Sequence, residues 1–152
     1  MVTICFGQMG CGKNHYGQQL AKRLNQPFVD GDDALPELWR HRTLFTQPDM
    51  LLFITTFLRQ LIDEKLKDYP DFVLAQALYN EQYRLFLKKY YDCKFVYVKS
   101  SLVDNWINLG NREKKWQWRA SWLICKPWFQ EPQLEHDVIY NHRNTKYFRQ
   151  RP

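Results

Sequence analysis

Near the start of the chain, Gly7-Gln8-Met9-Gly10-Cys11-Gly12-Lys13 fits the spacing G-x-x-x-x-G-K. Glycines in such a run let the backbone wrap an anion with its N–H groups turned inward, and the closing lysine reaches the outer phosphates of a nucleoside triphosphate. A helix starting at Lys13 would add its dipole to the same site. The spacing therefore nominates Gly7, Gln8, Met9, Gly10, Cys11, Gly12, Lys13, Asn14 and His15 as a nucleotide-binding set, with ATP as the nucleotide. Position 14 of this pattern normally carries Ser or Thr, whose hydroxyl ligates Mg²⁺. The asparagine found there offers an amide oxygen, which is a hard ligand, so Asn14 either holds Mg²⁺ or only hydrogen-bonds at the helix start.

Two carboxylates, Asp30 and Asp32, follow one helix later, separated by Gly31. A turn at that glycine frees them from strict alternation, so both can reach the mouth of the phosphate-binding loop. One carboxylate can hold Mg²⁺ through water while the other orients the hydroxyl of an acceptor. A solvated aspartate turn would read the same way in isolation.

These groups meet only if the chain supplies a strand, a loop and a helix in order. Residues 2–6 are β-branched and apolar, which predicts a buried strand closed by Gly7. Tyr16, Leu20, Ala21 and Leu24 share one face of a helix over residues 13–25, which Pro27 ends. Phe28-Val29 then leads a second strand into the aspartates. Beyond them the pattern predicts a helix over 49–67, a strand over 72–78, a helix over 81–91 and a strand over 94–99. A helical segment over 101–130 and a weak strand over 137–140 complete the series. Alternating strands and helices imply an α/β fold with a parallel sheet, whose ligands lie beyond the C-terminal strand ends.

The length of 152 residues suits one domain, 1–152, in which nucleotide and acceptor share a fold. The longest apolar stretch, residues 50–58, contains two threonines and is too short to cross a bilayer, so no membrane role is expected. No basic leader precedes the first strand, and Cys5, Cys11, Cys93 and Cys125 lack C-x-x-C spacing, which suits reduced thiols in the cytoplasm. His15, His41, His136 and His142 have no metal-ligand spacing.

Residues 1–76 hold 8 basic and 9 acidic side chains, whereas residues 77–152 hold 14 and 7. In that basic half, Trp106, Trp116, Trp118, Trp122 and Trp128 interleave with Arg112, Lys114, Lys115 and Arg119. Such a mixture can close over a nucleotide or stack on RNA. Most of the tryptophans are expected in a helical core.

With these residues in view, Gly7 to Lys13 and Phe28-Val29-Asp30-Gly31-Asp32-Asp33 resemble the gluconate kinase and shikimate kinase branch of the P-loop kinases. Ala77-Leu78 with Tyr83-Arg84, and Gln130-Glu131-Pro132, are similar to further gluconate kinase motifs. The resemblance implies a P-loop kinase fold, a five-stranded parallel sheet flanked by helices, with a mobile helical lid over about residues 105–128. It also implies ATP with Mg²⁺, and transfer to a hydroxyl of a small acid, with Arg112 as a lid arginine that approaches the phosphates. The sequence departs from the family at Asn14, at Tyr79 in place of Lys, and at Met50 and Asn108 in place of arginines.

The expected function is ATP-dependent phosphorylation of a hydroxyl on a small metabolite, a sugar acid or related carbohydrate. Lys13, Asp32, which orients the acceptor hydroxyl, and Arg112 are the candidate catalytic groups. Asp30, with or without Asn14, is the candidate Mg²⁺ site, and Arg40, Arg42 or Arg59 are candidates for an acceptor carboxylate. A nucleotide-binding protein without transfer activity is one alternative. A nucleoside or polynucleotide kinase, which would make nucleic acid a partner, is the other.

Overall fold

The computed structural model describes residues 1–141; His142 lies outside them. Five parallel strands form the sheet in the order β2-β3-β1-β4-β5, where β1 is Val2–Phe6, β2 Phe28–Asp30, β3 Phe72–Ala75, β4 Cys93–Ser100 and β5 Asp137–Asn141. The helices are α1 Lys13–Leu24, α2 Gln47–Leu52, α3 Arg59–Asp68, α4 Glu81–Tyr90, α5 Leu102–Gly110 and α6 Lys115–Cys125. The expected five-stranded parallel sheet flanked by helices is thus present.

Central β1 pairs β3 on one side, Val2 beside Phe72, and β4 on the other, Val2 beside Cys93. All five of its residues are buried because both faces of the strand are covered. Its alternate side chains feed separate cores. Val2, Ile4 and Phe6 join Phe53, Ile54, Leu58, Ile62, Phe72 and Leu74, while Cys5 joins Ala21, Val73, Ala75, Val96 and Val98.

Three elements differ from the sequence expectation. The helix expected over 49–67 starts earlier, because Thr46 and Asp49 form a reciprocal capping box, worth about 1 kcal/mol. Its middle, Phe53–Leu58, widens into a π-helical turn where Thr55 Oγ donates to the Leu51 carbonyl at 2.8 Å. Strand β3 stops at Ala75, not at residue 78: the Gln76 N–H still donates to the Cys5 carbonyl, but β1 ends one residue later and leaves nothing further to pair with. The segment 101–130 is two helices, separated where Lys114 takes a left-handed conformation with φ 55°.

The tryptophans correct a fourth expectation. Only Trp122 of the five is buried, and Trp116 is 66% exposed. Their partners are cations: Arg119 lies over Trp106 and Trp116, Arg112 over Trp118 and Lys126 over Trp122. Counting aromatics measures how much ring surface needs covering, and it does not say that aliphatic neighbours cover it.

Candidate active site

The loop from Gly7 to Lys13 leaves the C-terminal end of β1 and turns into α1. Gly10 and Gly12 take φ of 80° and 89°, which L side chains rarely adopt. A Cβ at Gly10 would meet the Asn105 carbonyl at 2.8 Å, and one at Gly12 would meet Asn141 Nδ2 at 2.6 Å, so other elements press against the loop from behind. Asn108 Nδ2 of α5 donates to the Gly10 carbonyl at 2.8 Å, and Asn141 Nδ2 of β5 to the Cys11 carbonyl at 3.0 Å. These bonds occupy loop carbonyls.

Beyond the loop, the ends of β2 and β3 enclose a cavity of about 400 Å³. Met9, Gly12, Lys13, Asn14, His15, Asp32 and Arg112 of the sequence-nominated set line it. Gly7, Gln8, Gly10, Cys11 and Asp30 do not. Gly7 and Cys11 are buried, and Gln8 and Cys11 instead line a cleft of about 10 Å³ with Tyr97, Val98, Ser100 and Asn105. The contribution open to Gly7, Gly10 and Cys11 at the cavity is backbone. Burial pushes the Cys11 thiol up, against the pull of Lys13, so it stays a thiol.

Asp30 and Asn14 form one unit. Asn14 Nδ2 donates to Asp30 Oδ2 at 2.9 Å, and Asp30 Oδ1 accepts the Asp32 N–H at 3.0 Å. The first bond uses the nitrogen end of the amide, which leaves Asn14 Oδ1 as a hard oxygen beside the loop. Among the described residues no group of three or more His, Cys, Asp or Glu is arranged for a metal. An amide oxygen and a carboxylate suit a cation that keeps water and phosphate as its other ligands, as Mg²⁺ does.

Asp32 lines the cavity and is still exposed to solvent, so the desolvation that raises its pKa above the ordinary carboxylate value is only partial. Lys13 and Arg112 pull it down, and Asp30 and Asp33 push it up. Lys13, Asp32 and Arg112 all line this one cavity. His15 is exposed, with its ring nitrogen 3.2 Å from Gln19 Nε2.

Arg40 and Arg42 also line the cavity, with Leu35, Phe45, Met50, Phe53 and Ile54. Arg42 pairs with Asp49 at 2.8 Å. Arg59 does not reach the cavity: its guanidinium stacks 3.9 Å over the Tyr90 ring, which removes it from the acceptor candidates.

The sequence reading passed over Gln76 and Tyr79 as site groups. Both line the cavity beyond β3, and the Tyr79 hydroxyl accepts the Met9 N–H at 3.1 Å. The signals available for them were their place after a buried strand in a parallel sheet and, for Tyr79, its position after Ala77-Leu78 where the family pattern has Lys.

The structure of a gluconokinase from Sinorhizobium meliloti superposes with a TM-score of 0.70 at 17% identity, covering 91% of this chain and 80% of that one. A Mycobacterium tuberculosis APS kinase in complex with AMPPNP and APS gives 0.65 at 17%, covering 93% and 89%. An Acinetobacter baumannii shikimate kinase in complex with shikimate gives 0.58 at 21%, covering 97% and 86%. The fold is that of the P-loop kinases. Residues 9–53, which hold most of the loop and both aspartates, also match the shikimate kinase family model. The resemblance to P-loop small-molecule kinases read from the sequence is therefore met by both comparisons. No curated protein sequence matches the chain. Within this P-loop kinase fold, the cavity lies where the phosphate loop, Asp32 and Arg112 converge.

Proposed function

We propose that the protein transfers the terminal phosphoryl group of ATP to a hydroxyl on a small metabolite, with a sugar acid or related carbohydrate as the acceptor class. The convergence of Lys13, Asp32 and Arg112 on one cavity carries this reading. Lys13 and the loop amides hold the phosphates. Asp32 receives the acceptor hydroxyl and takes its proton, and Arg112 stabilises the negative charge on the group in transfer. Asn14 and Asp30 would hold Mg²⁺, which would neutralise phosphate charge when bound. Arg40, which lines the cavity, would meet an acidic group on the acceptor, since Arg42 is already paired with Asp49.

The lid assignment, residues 105–128, is supported by the break between α5 and α6 and by Arg112 within that break. No helix among the described residues is long and apolar enough to cross a membrane. Four free cysteines, three of them buried, suit the cytoplasm.

A polynucleotide acceptor is the second reading, favoured by exposed Trp116 beside Lys115 and Arg119. ATP consumption measured against sugar acids, shikimate, nucleosides and 5′-hydroxyl oligonucleotides tests both. Turnover with a small acid supports the first reading, and turnover with oligonucleotides alone replaces it with the second. ATP binding without turnover on any acceptor would leave a nucleotide-binding protein that lacks transfer activity.

A further inference from the structure

Tyr79 closes the cavity wall between β3 and α4, and its side chain is 4% exposed. Its ring meets Phe129 edge-on, with 5.7 Å between centroids. Its hydroxyl accepts the Met9 N–H at 3.1 Å. A phenol that accepts one hydrogen bond still has its own proton to donate. Among the described residues no group takes that proton, and a buried donor with no acceptor is unfavourable.

The space beside the hydroxyl supplies a natural acceptor. Met9, Lys13, Asp32, Tyr79 and Arg112 line the same cavity, and the Arg112 charge reaches both the Asp32 carboxyl and the Tyr79 hydroxyl. An anion drawn in by Lys13 and Arg112 therefore presents oxygens to the tyrosine. Burial raises the Tyr79 pKa well above its ordinary value, and the Met9 bond only partly opposes this, so the proton stays on the oxygen at working pH.

We propose that Tyr79 is a further catalytic residue of the kinase reaction: its hydroxyl, fixed by the Met9 N–H, donates a hydrogen bond to the phosphoryl group in transfer. The inference rests on the kinase reading above. Tyr79 forms no covalent bond and loses no proton. Its contribution is a neutral donor, held in place before the reaction, that bonds more strongly as charge accumulates on the phosphoryl oxygens. A tyrosine serving only to support Met9 would affect the bound nucleotide and the transferring group alike.

The test compares binding of MgADP alone with MgADP plus fluoroaluminate, a planar stand-in for the phosphoryl group in transfer, and needs no acceptor. Wild type, Tyr79→Phe and Tyr79→Lys are measured by calorimetry, each with a thermal melt. Tyr79→Met replaces the Phe variant if that variant folds poorly. In the Phe variant, MgADP affinity should stay within about threefold, while the tightening given by fluoroaluminate falls roughly 10- to 100-fold, the scale of a hydrogen bond to a charged group. Tyr79→Lys, which restores a donor, should recover much of that loss. Equal tightening in wild type and the donor-free variant overturns the role of Tyr79 and leaves the kinase reading intact, as does a Lys variant no better than Phe. A wild type that binds MgADP but gains nothing from fluoroaluminate overturns the transfer reading, and the Tyr79 proposal with it.

Discussion

Replacing Arg84 by methionine should loosen the cavity wall and the segment around Gln130 together. The side chain is 0% exposed. Its guanidinium donates to the Leu78 carbonyl at 3.0 and 2.8 Å, to the Gln130 carbonyl at 2.6 Å, to the Tyr79 carbonyl at 3.4 Å, and to Glu81 at 2.7 Å. Removing one partner of a buried pair costs about 3–5 kcal/mol. Methionine refills part of the space between the Phe6 and Phe129 rings, which flank the guanidinium at 4.7 and 5.2 Å. The lower end, ~3 kcal/mol, is therefore expected, and at 2–4 °C per kcal/mol this lowers the melting temperature by roughly 6–12 °C. The deficit should depend on pH. Desolvation raises the Glu81 pKa, but bonds from Arg84 and from the Leu134 and Gln133 N–H groups outweigh it, and the carboxyl sits below its ordinary value. A depressed carboxyl stabilises the fold above its unfolded pKa and loses that contribution as pH falls through the folded one. The gap between wild type and variant should consequently narrow on acidification below the ordinary carboxylate range. Melting curves at neutral and acid pH check both points. A variant melting within about 2 °C of wild type, or a gap indifferent to pH, refutes the reasoning.

Lys13→Ala should abolish phosphoryl transfer with the fold intact, because Lys13 lines the cavity and belongs to neither core; near-normal turnover with an identified acceptor would show that the loop is not the phosphate site. Asp32→Asn should lower turnover roughly 10²-fold with little change in ATP affinity. Since the Asp32 pKa is raised, the acid limb of the wild-type rate profile should lie above the ordinary carboxylate range, and the limb should vanish in the variant. Arg112→Lys keeps the charge but loses the planar fork, so turnover should fall more than ATP affinity, and equal falls in both would place Arg112 in ground-state binding.

The parts of this fold that could be read from sequence are those fixed by local chemistry. Positive φ at Gly10 and Gly12, buried β1, and the turn at Gly31 each follow from residue types within a few positions. So does the pairing of the phosphate loop with Asp32, because a parallel sheet gathers its strand ends. Residues that meet the loop from a distance left no local trace. Asn141 lies 130 positions from Cys11, and Asn108 lies 98 from Gly10. Arg59 was open to misplacement for the same reason: a charge on a helix suits substrate or surface equally, until Tyr90 is found beneath it.

Three of the departures from the family pattern have a common physical use. Asn108 binds the Gly10 carbonyl, Tyr79 the Met9 N–H, and Asn14 ties the start of α1 to Asp30. In each case a cation or hydroxyl of the family pattern is replaced by a neutral group that fastens the phosphate loop or its helix to another element. A loop tied on several sides gives up little conformational freedom on binding phosphate, which lowers the cost of binding. On this argument Tyr79 and Asn108 exchange charge, and Asn14 a hydroxyl, for preorganisation, and the loop they hold still presents Lys13 to the cavity.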